Sequence, residues 1–475
     1  MMKKFLGRRQ ELQILENLYT EPYASVLISG RQGVGKTALI RQFCSGRCFL
    51  YFSARQETDI LARRRMTEAI SEFCKETVNP SAKPMSWKAL FEKFSQAEGE
   101  DRKILVIDNL QYLLQEDPDF EKKLRFALKH CFNPASVMVI LAMRKGKTHS
   151  LLKKNRHGII KEMTHQINLK PFSFVEMVQS YPYRNIAQLS MLYGMTGGLP
   201  GYWEYFKDCE KRVDFLGSIR SDVLNPYAYL FNEPIRGLAS EIWDPALYHG
   251  ILCALAAGYK KLPEIAKFLN EKTGAVEKAA ETLKYLGYLN FENDVLIKKQ
   301  QSAKKQTLTF SDALARFWYT FVYPHKEVLE AGKDLPIFEG IKTNFSDYMK
   351  KTYQAICMDI FSGACRYADF SFNPERIGAL ETKDGDQIDL LAVDDTGKQL
   401  FMAECVFEGR PYSLDAFEAF QEQCTGVKTM RAFKDYKVIY GVFTTEGFRQ
   451  DLMDYCTITP DILLFDGITM YAANL

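Results

Sequence analysis

Between Ser25 and Phe43 the sequence reads SVLISGRQGVGKTALIRQF. An apolar strand runs into Gly30, then four residues, then Gly35, Lys36 and Thr37, and an amphipathic helix follows at once. That order suits one chemistry. Glycines let successive backbone N–H groups curl around phosphate oxygens, the lysine neutralises β- and γ-phosphate charge, and the threonine hydroxyl can ligate Mg²⁺. The helix dipole adds positive potential behind the loop. The expected phosphate contacts are Gly30, Arg31, Gln32, Gly33, Val34, Gly35, Lys36, Thr37 and Ala38. A nucleoside triphosphate with Mg²⁺ is the expected ligand. ATP is favoured over GTP by default, because an N-K-x-D guanine-reading tetrad is absent.

Such a loop needs an acidic partner at the end of a later buried strand. KILVIDNLQYLL (103–114) supplies it, with Asp108 closing the apolar run and holding Mg²⁺. The next residue is Asn109, where a glutamate would polarise the attacking water. An amide can orient water but cannot take its proton. The expectation is therefore weak hydrolysis with Lys36, Asp108 and Asn109 at the reacting centre, or nucleotide used as a structural switch. Residues 144–161 carry Arg144, Lys145, Lys147, Lys153, Lys154, Arg156 and Lys161 without one acid. A solvated loop, a γ-phosphate sensor, an arginine finger and a nucleic-acid contact all remain open for it.

The elements that position these residues are legible in outline. The runs 25–29, 49–54, 104–108 and 137–142 are apolar and separated by helical patterns, which predicts a parallel sheet covered on both faces. The pattern then turns helical, with TGGLPGYW (196–203) as punctuation. Residues 245–325 read as three helices and a hairpin. The last 130 or so read helix (345–361), three strands (376–382, 387–394, 399–406), helix (412–424), strand (437–443) and helix.

Length and composition set the scale. A chain of 475 residues and 54.6 kDa exceeds what one core supports, so three or four domains are expected. With 47% hydrophobic and 25% charged residues it is globular, neither disordered nor fibrous. No apolar run reaches the ~18 residues of a membrane helix, and MMKKFLGRRQEL lacks a signal-peptide core, so a cytoplasmic protein is expected. The 11 cysteines are scattered without a C-x-x-C pair and read as reduced core thiols. Net charge is only +3, yet residues 340–475 hold 13 Lys/Arg against 21 Asp/Glu, leaving +11 on residues 1–339. Any nucleic acid should meet the basic part.

The N-terminal GRRQEL, the phosphate loop, DNLQ after the strand at 104–108, LKPFSFVEM (169–177) and GGLP (197–200) occur in one order. Together with the C-terminal half, they resemble the archaeal-type ATPases of archaea and bacteria. This is an AAA+/STAND-like branch of P-loop ATPases that carries a winged helix and a C-terminal nuclease-like domain. The resemblance implies an α/β chain in four parts: a P-loop core with parallel sheet (1–170), a helical lid (171–240), a winged helix (241–335) and a PD-(D/E)XK restriction-endonuclease-like domain (336–475). It implies ATP binding and ATP-dependent regulation. DNLQ replaces the family's usual acidic pair, and Ala142, Met143 and Arg144 stand where a small polar sensor would follow the strand.

Within that frame, the hairpin turn KKQQSAKKQ offers Lys298, Lys299, Lys304 and Lys305 to a duplex DNA backbone. Glu277 and Glu281 on the preceding helix oppose it, so packing inside the chain is the competing reading. In QIDLLAVDDTGKQLFMAECVF (387–407), Asp389 and Glu404 lie on adjacent strands and could share Mg²⁺. The nuclease lysine position holds Val406, and the helix acid falls at Gln354. A degenerate domain that packs or binds a protein partner on its acidic surface is expected, and nuclease activity is not. The functional expectation is an ATP-binding switch, with a DNA-stimulated ATPase and an ATP-gated nuclease as alternatives.

Overall fold

A computed structural model describes residues 5–77, 83–98, 101–146, 158–181, 185–206, 215–367, 372–382, 385, 387–407 and 409–473. Two compact units emerge. The first holds residues 1–171 with the short stretches Leu199–Gly201 and Ala239–Trp243, and the second holds the remainder. The four segments read from sequence thus fall into two bodies. The helix, hairpin and mixed-sheet regions share one unit because their cores interlock, as described below.

In the first unit, five parallel strands stand in the order β2-β3-β4-β1-β5. They are β1 (Ser25–Gly30), β2 (Phe49–Ser53), β3 (Ile104–Asp108), β4 (Met138–Arg144) and β5 (His165–Leu169). The central strands β1 and β3 are buried at every residue, which is why their sequences are unbroken apolar runs. The edge strand β5 alternates exposed and buried residues over HQINL, and that polar alternation hid it from the sequence reading. One face packs on the helices Asp59–Phe73, Trp87–Gln96 and Phe120–Ala127 through Phe52, Trp87, Phe91, Phe120 and Phe132. Of the basic stretch 144–161, Lys147, Lys153, Lys154 and Arg156 lie outside the described residues.

The second unit contains helices Ala246–Ala256, Leu262–Phe268 and Thr273–Leu286, followed by the antiparallel hairpin β6 (Leu289–Glu292) and β7 (Thr307–Phe310). A single helix, Leu335–Tyr367, replaces the shorter one expected at 345–361 and runs through the expected boundary at 335/336. It ties the regions together. Arg316 Nη1 donates to Thr352 Oγ1 at 2.7 Å, Tyr348 OH to Gly194 O at 3.3 Å, and the Phe174 N–H to Asp359 Oδ2 at 3.1 Å. The mixed sheet has the order β13-β12-β11-β10-β9-β8. It comprises β8 (Arg376–Glu381), β9 (Gln387–Asp394), β10 (Gln399–Val406), β11 (Lys437–Thr444), β12 (Ile462–Asp466) and β13 (Thr469–Ala472). The last two strands were not read from the sequence. Among the described residues no helix is long and apolar enough to cross a membrane.

The hairpin turn behaves as a packing device. Val295 is buried in the mixed-sheet core beside Leu380 and Ile388, and Arg376 Nη1 donates to Val295 O at 2.8 Å. Lys298 pairs with Asp395 at 2.8 Å, and Arg376 and Tyr436 hold the same carboxylate at 2.7 and 2.8 Å. Lys298, expected on DNA, therefore has a counter-charge within the chain. Lys299, Lys304 and Lys305 remain exposed. Asp395→Ala should release this turn. Trypsin cleavage after Lys298 or Lys299 is expected to accelerate about tenfold or more in the native protein, as local opening becomes cheaper. An unchanged cleavage rate would mean that Val295 alone holds the turn.

Candidate functional site

The phosphate loop lies at the C-terminal edge of the parallel sheet, between β1 and the helix Lys36–Cys44. Gly33 and Gly35 have φ of +78° and +98°, conformations that side chains rarely adopt, so glycine is required at both. A Cβ at Gly30 would stand 2.7 Å from Leu169 O on β5. Arg31 through Gly35 form the loop, and Lys36, Thr37 and Ala38 make the first helical turn. The expected contacts are thus gathered as one concave stretch of backbone.

Lys36 is buried, and its Nζ donates to Gly30 O at 2.9 Å and Arg31 O at 2.8 Å. Burial lowers its ammonium pKa to about 8, with Arg144 pushing the same way and Asp108 and Glu241 opposing. Thr37 Oγ1 donates to Asp108 Oδ2 at 2.7 Å, so the two expected Mg²⁺ ligands meet across residues far apart in sequence. Two glycines held at positive φ, a buried lysine and a hydroxyl–carboxylate pair fit a Mg²⁺–triphosphate donor set.

Three residues that the motif reading left without roles shape this site. Tyr51 on β2 donates its hydroxyl to Asp108 Oδ2 at 2.5 Å, and burial followed by Asp108 raises the phenol's pKa. Arg8, in GRRQEL, is 5% exposed and donates through Nη2 to Val34 O at 3.1 Å and Lys170 O at 2.7 Å, stapling the loop to the end of β5. Gly201 donates its N–H to Gly33 O at 3.0 Å, and a Cβ there would stand 2.9 Å from Gly33 Cα. The quoted motifs carried these residues, but only their contacts explain them.

Asn109 has a left-handed backbone. Its φ is +58°, and asparagine tolerates that left-handed backbone better than most side chains. Its N–H donates to Asp108 Oδ1 at 2.8 Å and its Nδ2 to Ser53 Oγ at 3.5 Å. On the neighbouring strand, Arg144 pairs with Gly30 in the parallel register, and its N–H donates to Gln111 Oε1 at 3.4 Å. Gln111 Nε2 is buried without a partner among the described residues.

The second candidate site is built differently from its expectation. Asp389 and Glu404 do come together on β9 and β10. Gln354, at the position of the missing acid, donates to Asp389 Oδ1 at 2.6 Å, and the Cys405 N–H donates to Asp389 Oδ2 at 3.0 Å. Tyr412 OH donates to Glu404 Oε2. Burial raises the Glu404 pKa, Tyr412 lowers it, and Asp389 adds to the rise. Both carboxylates thus already accept from protein donors, and among the described residues no group of three or more His, Cys, Asp or Glu could hold a metal.

Comparison with known proteins adds three findings. Residues 5–206 match a family described as an ATPase domain predominantly from Archaea, and residues 318–414 match archaeal and bacterial proteins of unknown function. An uncharacterized protein of Methanocaldococcus jannaschii is 23% identical over 418 residues, covering 84% of this chain and 87% of that protein. The Walker-type ATPase of Pyrococcus abyssi superposes with a TM-score of 0.50 at 18% identity, over 66% of this chain and 96% of that one, a likeness of fold.

Proposed function

We propose that this chain, whose residues 5–206 form a P-loop ATPase domain, binds ATP with Mg²⁺ and uses the nucleotide as a conformational switch with slow hydrolysis. The backbone from Gly30 to Ala38 wraps the phosphates, Lys36 neutralises their charge, and Thr37 and Asp108 hold Mg²⁺. The bound cation supplies charge neutralisation at the phosphates. Asn109 orients water without taking its proton. The 2.7 Å bond between Thr37 and Asp108, beside a lysine buried in the loop, carries this reading.

The helices and hairpin from Ala246 to Phe310 fit a winged helix used for packing inside the chain, and Val295 and the Lys298–Asp395 pair support that use. Exposed Lys299, Lys304 and Lys305 sustain the second reading, a DNA-stimulated ATPase. A protein partner on the acidic C-terminal region belongs to the first.

Single-turnover phosphate release from ATP and Mg²⁺, with and without duplex DNA and with Lys36→Ala as blank, decides between them. ATP binding with slow release, unchanged by DNA, is expected. Release that rises with DNA and falls with salt, in proportion to about 0.9 per phosphate contact on a log–log scale, would replace the switch with the second reading.

A further inference from the structure

Two carboxylates act on the Lys36 ammonium, Asp108 and Glu241. Asp108 is committed. Its Oδ2 accepts from Thr37 and Tyr51, and its Oδ1 accepts from the Asn109 N–H. Glu241 has no such role. It ends the helix Glu233–Glu241, and Ala239–Trp243 belongs to the same compact unit as the phosphate loop.

Its placement is specific. A Cβ built on Gly146 would stand 2.0 Å from Glu241 Oε2, so the carboxylate lies hard against the backbone just beyond β4. The adjacent Lys145 N–H donates to Gly30 O at 3.2 Å, and the same carbonyl takes Lys36 Nζ at 2.9 Å. The charges of Arg144, Lys36 and Arg31 all act on Glu241. A carboxylate from distant sequence thus stands beside the end of β4, within the field of these cations. Burial raises its pKa, those three cations oppose the rise, and the balance leaves it at about 7. A group titrating near neutrality can both take and return a proton at working pH.

We propose that Glu241 is the catalytic base of ATP hydrolysis, replacing the acid absent at position 109. The inference rests on the reading of the loop as an ATP site. In the step, the water oxygen bonds to the γ-phosphorus as the bond from that phosphorus to the β–γ bridging oxygen breaks. ADP leaves with that electron pair, and the water proton passes to the Glu241 carboxylate, which later gives it up to solvent. No other reactant is needed. Because the base stands on Ala239–Trp243 and not in the phosphate loop, its loss should slow hydrolysis without weakening ATP binding.

The test uses the full chain, with Glu241→Gln and Asn109→Glu singly and together. It reads phosphate release, ATP affinity and tryptophan emission. Trp243 is 88% exposed while Trp87, Trp203 and Trp318 are buried, so an emission change on ATP addition that disappears in Trp243→Phe reports the 239–243 stretch. Glu241→Gln should slow phosphate release by about 10²–10³-fold, with ATP affinity within about threefold of the parent. Asn109→Glu should restore at least about tenfold of that loss in the Glu241→Gln background, which a merely structural role for Glu241 would not permit.

Release from Glu241→Gln within about threefold of the parent overturns the proposal. If ATP then also binds more than about tenfold tighter, the carboxylate competes with phosphate instead of serving as base. A parent that binds ATP but releases no phosphate above the Lys36→Ala blank overturns it too. Failure of both the parent and Glu241→Gln to bind ATP would remove the ATP reading itself.

Discussion

Arg8→Ala is expected to destabilise the protein by about 3 kcal/mol and to weaken ATP binding about tenfold, though Arg8 belongs to no phosphate motif. The guanidinium is 5% exposed and donates to Val34 O inside the loop and to Lys170 O just beyond β5. Hydrogen bonds from a charged donor contribute about 1.5–3 kcal/mol each, and truncation leaves two carbonyls short of a partner. Arg8 also holds φ of +56°, which alanine adopts no more readily. The affinity loss follows from geometry. Val34 lies between Gly33 and Gly35, so releasing its carbonyl loosens the backbone that must present N–H groups to phosphate. Urea unfolding and titration with a fluorescent ATP analogue measure the two effects separately. Arg8→Lys keeps the charge but not the two-pronged reach, and should recover less than half of either loss. A stability change under about 0.5 kcal/mol would show that the staple is incidental.

Lys36→Ala should abolish measurable ATP binding, raising Kd by about 100-fold or more, with little change in fold. Lys36 is the buried cation of the loop, and its burial is offset by two carbonyls and by the charges of Asp108 and Glu241. Removing it deletes charge-assisted bonds of about 1.5–3 kcal/mol each to phosphate oxygens, and about 1.4 kcal/mol corresponds to a factor of ten in affinity. The stability cost should be smaller, since Asp108 keeps its hydrogen bonds from Thr37, Tyr51 and the Asn109 N–H. Calorimetric titration with Mg-ATP and a parallel thermal melt separate the outcomes. Binding retained within about fivefold would mean that the phosphates sit elsewhere.

How much of this was legible varied with the kind of signal. β1, β3 and β4 were readable because buried parallel strands must be apolar on both faces, so their sequences carry no ambiguity. β5 was not, since HQINL exposes Gln166 and Asn168 on a sheet edge and looks polar. The glycine-rich loop between β1 and the following helix, and Asp108 at the end of β3, were readable because a glycine turn, a lysine and a helix start must be contiguous. Tyr51, Arg8 and Gly201 act through backbone carbonyls or a shared carboxylate, and such contacts impose no pattern along the chain. Gln354 was identified as standing where an acid was expected. That its amide would bind Asp389 needed the fold.

Residue order alone predicts an α/β domain with a glycine-rich loop ahead of a helix, an acid closing a later buried strand, and an amide after that acid that cannot take a proton. These follow from local covalent order, since a glycine turn, a lysine and a helix start must be contiguous to work. Three contacts exist only in the folded chain: Thr37 meets Asp108, Lys298 answers Asp395, and Glu241 reaches the cations of the loop from the end of a helix far along the sequence. Charges pair through space, and the strand order that brings them together leaves no mark on the residues between.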